Sequence, residues 1–244
     1  MNEKDMHRFR FLAKQEDNSQ WVIEEDELFH LRKVLRLKVG TEVEVFNTEG
    51  TWGFGFLKDI SNQRAYVEVS RSETEKECLP RLAVGIAVLQ AQTMSDLLPC
   101  LVELGVDEVH IFSQRDSAKN RVSDKSLDRW NKIILSAMKQ CKRARKPLLK
   151  HWGSMDSCLD FARAKFQDIY CLDADGKRSL SEVRISKERP IFLFIGSEKG
   201  LLQEELSLFK ENKIESVTLG PNTLRAFTAA IAATSQLALR RVSI

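Results

Sequence analysis

"LGPNTLRAFTAAIAATSQLALRR", residues 219–241, sets a Gly-Pro turn and a Leu-Arg pair directly before an alanine-rich helix. Ala229, Ala230, Ala232 and Ala233 combine strong helix propensity with little apolar area, so their use is to let another backbone approach closely. Either a second helix comes near and Gly220-Pro221 is an ordinary turn, or the turn and helix together approach something else.

Upstream of this stretch, the pattern beyond Pro80 alternates strands and helices. "LAVGIAVL" (82–89) is a continuous apolar run suited to a buried parallel strand, and "LLPCLVELG" reads as the helix that follows it. "EVHIF", "LLKHW", "DIYCL" (168–172), "PIFLFIG" (190–196) and "SVTLG" (216–220) are further strands, with a basic helix over "LDRWNKIILSAMKQCKRAR". Such alternation predicts an α/β domain with a mostly parallel sheet covered on both faces. Before Pro80 the chain reads differently. "RFRF" (8–11), "EVEVF" (42–46), "WGFGFL" (52–57) and "AYVEV" (65–69) show the β-rich alternation of a small barrel or open sheet. One helix, "EEDELFHLRKVLRL", interrupts it, with Leu28, Leu31, Val34 and Leu35 on one stripe. Residues 70–80, charged and closed by Pro80, form the expected linker, dividing the chain into domains 1–75 and 76–244. No period of 20 to 50 residues recurs, which excludes a repeat protein.

The 244 residues, 43% hydrophobic and 30% charged, describe a globular chain with a proper core. No run of about 18 apolar residues predicts a membrane span. The N-terminus "MNEKDMHRFRF" lacks the apolar core of a signal peptide, which places the chain in the cytoplasm. Five cysteines without CxxC spacing and four scattered histidines predict reduced thiols and no metal site. The net charge of +3 says little, but "KQCKRARK" (139–146) holds five cations and no acid. It reads either as a solvated helix end, suited to the dipole, or as a phosphate-binding patch.

Three strands end in loops that can hold a ligand: "CLDADG", "FIGSEKG" and "TLGPNTLR". Each follows the C-terminal end of its strand, where open α/β sheets bind ligands, and none is a GxGxxG or a P-loop. At this point the chain resembles the ribosomal RNA small subunit methyltransferase E group of the SPOUT methyltransferases. "HLRKVLRLKVGTEVEVF" (30–46) is similar to the group's N-terminal PUA-like domain, "LVELGVDEVHIF" to its ELGV segment, and "RWNKIILSAMKQCKRAR" to its EQxGR helix. "FIGSEKGLLQEEL" is similar to the IGPEGG loop and "LGPNTLRAFTAAIAA" to the LGxxILRxETA segment, in the same order over nearly the whole chain.

The resemblance implies a PUA-like β-barrel followed by a trefoil-knotted SPOUT domain, a homodimer, and S-adenosylmethionine as cofactor. It places Leu172, Ile195, Gly196, Glu198, Gly200, Leu219, Gly220, Leu224 and Thr228 at the cofactor, with the alanines serving knot and dimer packing. Gly196 and Gly200 are expected to let their loop come close to the cofactor. The implied reaction is methyl transfer to N3 of a uridine in 16S ribosomal RNA, in which loss of the N3 proton leaves negative charge on the base. Arg225 matches the motif's arginine and is the first candidate for stabilising that charge, since a guanidinium needs no titration. Gln140 and Arg143, expected at i and i+3 on one helical face, match QxGR and would orient the base or a phosphate. Arg8, Arg10, Arg32, Lys33, Arg36 and Arg145 would hold RNA phosphates, positioning substrate without reading sequence. His30 is expected to be a structural hydrogen-bonding residue.

The chain departs from the family at Ser197 and Lys199 in the loop, at Phe227 in place of a glutamate, and at Lys142 in place of a glycine. Pro99 is expected to interrupt the helix before ELGV. These departures keep open a noncatalytic RNA-binding protein that retains the fold, and a SPOUT enzyme acting on another RNA.

Overall fold

The computed structural model describes residues 9–114 and 122–243, in two compact units. The first comprises residues up to Glu75 together with Met138–Lys146; the second comprises the remainder. The basic segment read as the end of a helix in the second domain therefore belongs with the first.

In the first unit six strands form one sheet: β1 (Arg10–Leu12), β2 (Lys14–Gln15), β3 (Gln20–Ile23), β4 (Glu42–Phe46), β5 (Thr51–Ile60) and β6 (Ala65–Thr74), ordered β1-β4-β5-β6-β3-β2. Its edge strands β1 and β2 are separated in the chain by Ala13 alone, so the sheet has to curl until its two edges nearly meet. Trp21, Ile23, Val43, Val45, Leu57 and Val67 fill the inside of the curl, all essentially buried. β6 runs on to Thr74, so about half of the expected linker is strand, paired with β5 apart from a bulge at Ser70.

The helix of this unit begins as α1 (Glu25–Phe29) and continues as a π turn over His30–Val34. The Leu35 N–H reaches back five residues to the His30 carbonyl at 3.0 Å. A π turn inserts a residue and shifts the phase of the apolar stripe. Leu28 and Leu31 stay buried as expected, whereas Val34 is turned outward and is 59% exposed.

The second unit holds β7 (Cys78–Leu79), β8 (Leu82–Ala87), β9 (Glu108–Phe112), β10 (Leu148–Trp152), β11 (Asp168–Leu172), β12 (Arg178–Ser179), β13 (Ile191–Ile195), β14 (Glu215–Thr218) and β15 (Val242–Ser243). Seven of them build one sheet, β10-β9-β8-β13-β11-β14-β12, with every neighbouring pair parallel. The connecting helices are α2 (Ala91–Glu103), α3 (Asp124–Gln140), α4 (Met155–Lys165), α5 (Gln203–Glu211) and α6 (Ala226–Ala238). α2 continues through Pro99, so the expected interruption is absent.

Strand residues alternate between two cores. Ala83, Phe192 and Phe194 face α4 and α5, meeting Cys158, Leu159, Ala162 and Phe209. Gly85 makes this possible, because a Cβ there would lie 2.5 Å from the Phe192 ring. Burial of each phenylalanine contributes roughly 2 kcal/mol. α6 packs against α2, β8 and β13, with Ala230 and Ala233 fully buried. The small residues of the opening stretch thus bring this helix close to the sheet and to α2. After α6, the Arg241 guanidinium donates to the carbonyls of Pro80 (2.7 Å) and Gly105 (2.6 Å) and pairs with Asp107, tying the end of the unit to its beginning.

At the β9–β10 edge the Trp152 indole N–H donates to His110 Nδ1 at 3.0 Å, and His110 Nε2 lies 2.9 Å from Glu108 Oε2. With Nδ1 accepting, Nε2 carries the proton donated to the carboxylate, so one tautomer satisfies this fully buried imidazole. The Glu108 carboxyl is held below its ordinary range chiefly by the hydrogen bond from His110, against its burial, with the charge of Arg81 adding to the effect.

Candidate functional site

β13, β11 and β14 are adjacent and parallel, so the loops that follow them emerge at one edge of the sheet. In open parallel sheets this edge is where ligands bind. The loop after β13 is a tight turn in which the Gly200 N–H donates to the Ser197 carbonyl at 2.8 Å. Gly196 and Gly200 serve it differently. A Cβ at Gly196 would lie 2.3 Å from the carbonyl carbon of Gly200, so its absence admits the loop's own backbone. Gly200 takes the left-handed φ of 82° that favours glycine, and a Cβ there would meet nothing within 4 Å.

Four further hydrogen bonds hold this turn. The Glu198 carboxylate accepts the Gln90 backbone N–H at 3.0 Å, which pins the turn to the start of α2. The Gln114 amide donates to the Gly200 carbonyl (3.2 Å) and to Glu205 Oε2 (2.7 Å). The same Glu205 oxygen accepts the Leu202 N–H at 2.8 Å, capping α5. Gln114 and Glu205 carry no signal in the sequence, since they meet from positions 91 residues apart. Lys199 stands where the family has glycine, yet it is not among the residues with positive φ, so its side chain leaves the turn unstrained.

After β14, the Gly220 N–H lies 3.3 Å from Thr218 Oγ1, which also donates to the Gly220 carbonyl at 3.1 Å. Gly220 has φ 138°, and a Cβ on it would again face open space. The loop after β11 closes onto β14 through the Asp173 N–H to the Val217 carbonyl, 3.0 Å. Gly176 allows that approach, because a Cβ there would lie 2.7 Å from the Val217 carbonyl carbon. Leu172, Leu219 and Gly220 are half-buried, Leu224 is 37% exposed, and Thr228 stands exposed in the first turn of α6. Ile195 and Gly196 are buried, which leaves Ile195 only its main chain to offer a ligand.

Arg225 is the N-cap residue of α6, exposed, with extended φ and ψ. Its carbonyl accepts the Ala229 N–H at 2.8 Å, but no side chain caps the helix and no acid lies in its first turn. The first-turn N–H groups and the positive end of the helix dipole are thus directed to the same edge as the three loops, with a guanidinium beside them.

Gln140 and Arg143 do not share a helical face. α3 ends at Gln140, Lys142 turns left-handed at φ 60°, and the Arg143 N–H donates to the Met138 carbonyl at 3.1 Å. This is a Schellman closure, in which glycine is favoured at the left-handed position. The family's glycine aligned with Lys142 is explained by that φ. Arg143 itself is buried, with 8% exposure.

The "KQCKRARK" segment proves to be neither a solvated helix end nor an open patch. Lys139 pairs with Glu27 at 2.6 Å, and the Glu75 carboxylate accepts the N–H groups of Ala144 (2.5 Å) and Arg145 (2.6 Å). The Lys146 N–H donates to the Thr48 carbonyl at 3.0 Å, and burial lowers the Lys146 ammonium below its ordinary pKa. Arg145 is half-buried with its guanidinium against Gly50. Arg10 is likewise no surface cation. Its side chain is 6% exposed, pairs with Glu44 at 3.0 Å, donates to the Met138 carbonyl at 3.0 Å and stacks 4.4 Å over Phe46. Desolvation lowers its pKa, although Glu44 opposes the shift. Lys33 and Arg36 are exposed and Arg32 half-exposed. Arg8 lies outside the described residues. His30 is exposed, and its carbonyl closes the π turn.

Residues 75–238 match the family model for an RNA methyltransferase domain, and residues 23–70 that for an RNA methyltransferase PUA domain. The chain is 26% identical over 252 residues to the ribosomal RNA small subunit methyltransferase E of Buchnera aphidicola, covering 96% of this chain and 88% of that protein. It is 25% identical over 229 residues to the protein of the same name from Rickettsia conorii, covering 91% of each. The structure of the Neisseria gonorrhoeae ribosomal RNA small subunit methyltransferase E bound to S-adenosyl methionine superposes with a TM-score of 0.81 at 24% identity, over 95% of this chain and 97% of that one. The two share a fold, a PUA-like curled sheet followed by a SPOUT-type parallel sheet. With the methyltransferase model alone matching well over half of its length, the chain belongs to the RNA methyltransferase family.

Proposed function

We propose that this protein methylates N3 of a uridine in 16S ribosomal RNA, with S-adenosylmethionine as donor, as a cytoplasmic homodimer. The names of its relatives and the cofactor in the Neisseria structure support the reading. The residues fit that cofactor. Gly200 and Gly220 face open space at the sheet edge, and the half-exposed Leu172, Leu219 and Leu224 offer apolar contact there. Main-chain groups of Ile195, Gly196 and the 219–224 loop would bind it, with Thr228 at the helix start, while Glu198 acts by pinning the turn. When bound, S-adenosylmethionine supplies an electrophilic methyl group on a sulfonium.

The chain's own contribution is to place the base and stabilise its charge. Loss of the N3 proton leaves negative charge on the uracil oxygens. Arg225 remains protonated throughout and offers a planar pair of donors, and the uncapped N–H groups of α6 add partial positive charge. A cation at the N-terminus of a helix is unfavourable to that helix, so Arg225 sits where stability alone would not put it. This exposed arginine on an uncapped helix, at the edge where three loops meet, is the observation that carries the proposal. Gln140, exposed at the end of α3, remains a candidate for orienting substrate.

Mass spectrometry of ribosomal RNA from a strain lacking the protein tests the reaction, with loss of one N3-methyluridine expected and an unchanged RNA refuting it. Single-turnover methylation tests the residue: Arg225→Lys should bind cofactor normally and react at least tenfold more slowly, because lysine has no planar fork. Light scattering at micromolar concentration tests the dimer. The noncatalytic alternative predicts no S-adenosylmethionine binding by calorimetry, and the unstrained turn at Lys199 speaks against it.

A further inference from the structure

Phe29, the last residue of α1, is 63% exposed, and the chemistry above makes no use of it. Between Leu28 and Thr41 the chain holds Arg32, Lys33, Arg36 and Lys38 and no acid. The π turn decides how these side chains are displayed. With the Leu35 N–H bonded to the His30 carbonyl, residues four and five apart come onto one face, which aligns Phe29 with Lys33 and Val34. All three are exposed. Arg32 reaches the Asn62 amide oxygen at 2.7 Å, an uncharged partner. Among the described residues no carboxylate pairs with Lys33, Arg36 or Lys38. The acids of this region, Glu24, Glu25, Asp26 and Glu27, all precede Phe29, and Glu27 is held by Lys139. An exposed aromatic ring therefore borders a run of uncompensated cations on one side only.

We propose that this face binds an unpaired RNA nucleotide, its base stacked on Phe29 and its flanking phosphates on Lys33 and Arg36. The proposal rests on the reading of the chain as an enzyme acting on RNA. Charge selects the occupant, since four cations without acids match a polyanion. The ring selects the kind of RNA. In a duplex both faces of each base are stacked away, whereas an unpaired base offers a face to an aromatic side chain. The target would then be a loop or single-stranded segment of the substrate RNA.

Fluorescence anisotropy with the full chain tests this, using a single-stranded RNA of about ten nucleotides and the same sequence as a duplex. Phe29→Ala should weaken single-strand binding by about 5- to 100-fold and leave duplex binding and the salt slope unchanged, with Phe29→Trp restoring affinity. Lys33→Ala and Arg36→Ala should each reduce the single-strand salt slope by about 0.7. Unchanged single-strand affinity in Phe29→Ala, an equal loss on duplex, or a wild-type protein with no affinity for single strands would each overturn the proposal. Calorimetry with S-adenosylmethionine on the same proteins separates the two readings: absent cofactor binding in the wild type refutes the methyltransferase proposal and leaves the stacking result intact.

Discussion

Replacing Arg225 by serine should make the protein more stable and its chemistry much slower. Arg225 already has the extended backbone of an N-cap, and its carbonyl already accepts the Ala229 N–H, so a serine hydroxyl can take up a first-turn N–H without moving the chain. Supplying a cap where none exists contributes about 1 kcal/mol. Removing a cation from the positive end of the dipole adds about 0.3–1 kcal/mol. Because the arginine is exposed and has no ion pair among the described residues, little is lost in exchange. A gain of 1 to 2 kcal/mol raises Tm by roughly 2 to 8 °C in a chain of this size. Methylation moves the other way, since the loss of a charge-stabilising donor costs about 10²–10³ in rate. Thermal melts and single-turnover methylation with saturating RNA and cofactor measure the two effects. A variant that is no more stable would show that the helix end is not truly uncapped, and one that methylates at the wild-type rate would remove Arg225 from the mechanism.

Lys142→Gly relieves a left-handed residue at the end of α3 and should stabilise the protein by about 1 kcal/mol, read as a rise in Tm of about 2–4 °C. Gly196→Ala forces a Cβ to within 2.3 Å of the loop backbone, so S-adenosylmethionine affinity should fall at least tenfold by calorimetry, with the circular dichroism of the sheet preserved. Glu108 has a carboxyl pKa depressed in the folded state, so its contribution is present above the unfolded carboxylate value of about 4 and is lost as pH falls through the folded value. Glu108→Gln should accordingly flatten the acid side of a Tm-against-pH profile; a profile that stays parallel to the wild type between about pH 3 and 6 would rule out that linkage.

Strand positions in the second unit are legible from local pattern, most plainly where a strand is buried and apolar on both faces, as in β8 and β13. "EVHIF", "LLKHW" and "DIYCL" coincide with β9, β10 and β11 residue for residue. Helix ends are less legible. The apolar period of α3 runs on past Gln140 into "CKRAR", and nothing local shows that the Glu75 carboxylate waits to bind the N–H groups of Ala144 and Arg145. The same limit misplaced Arg10, whose charge marks it as a surface residue until Glu44, Phe46 and the Met138 carbonyl enclose it.

By itself, then, the amino-acid sequence determined the order of strands and helices, the three loops that follow β11, β13 and β14, and the glycines those loops require. These depend on residues within a turn or two of one another, where side-chain period and backbone freedom act directly. Only the tertiary structure decided that β13 lies between β8 and β11, which brings the loops to one edge, and that Gln114, Glu205 and Gln90 hold the turn at Gly200. It also decided which cations are free to meet a ligand. A charge is readable in a sequence, but its availability depends on desolvation and on carboxylates and carbonyls contributed from distant positions, and those are set by packing.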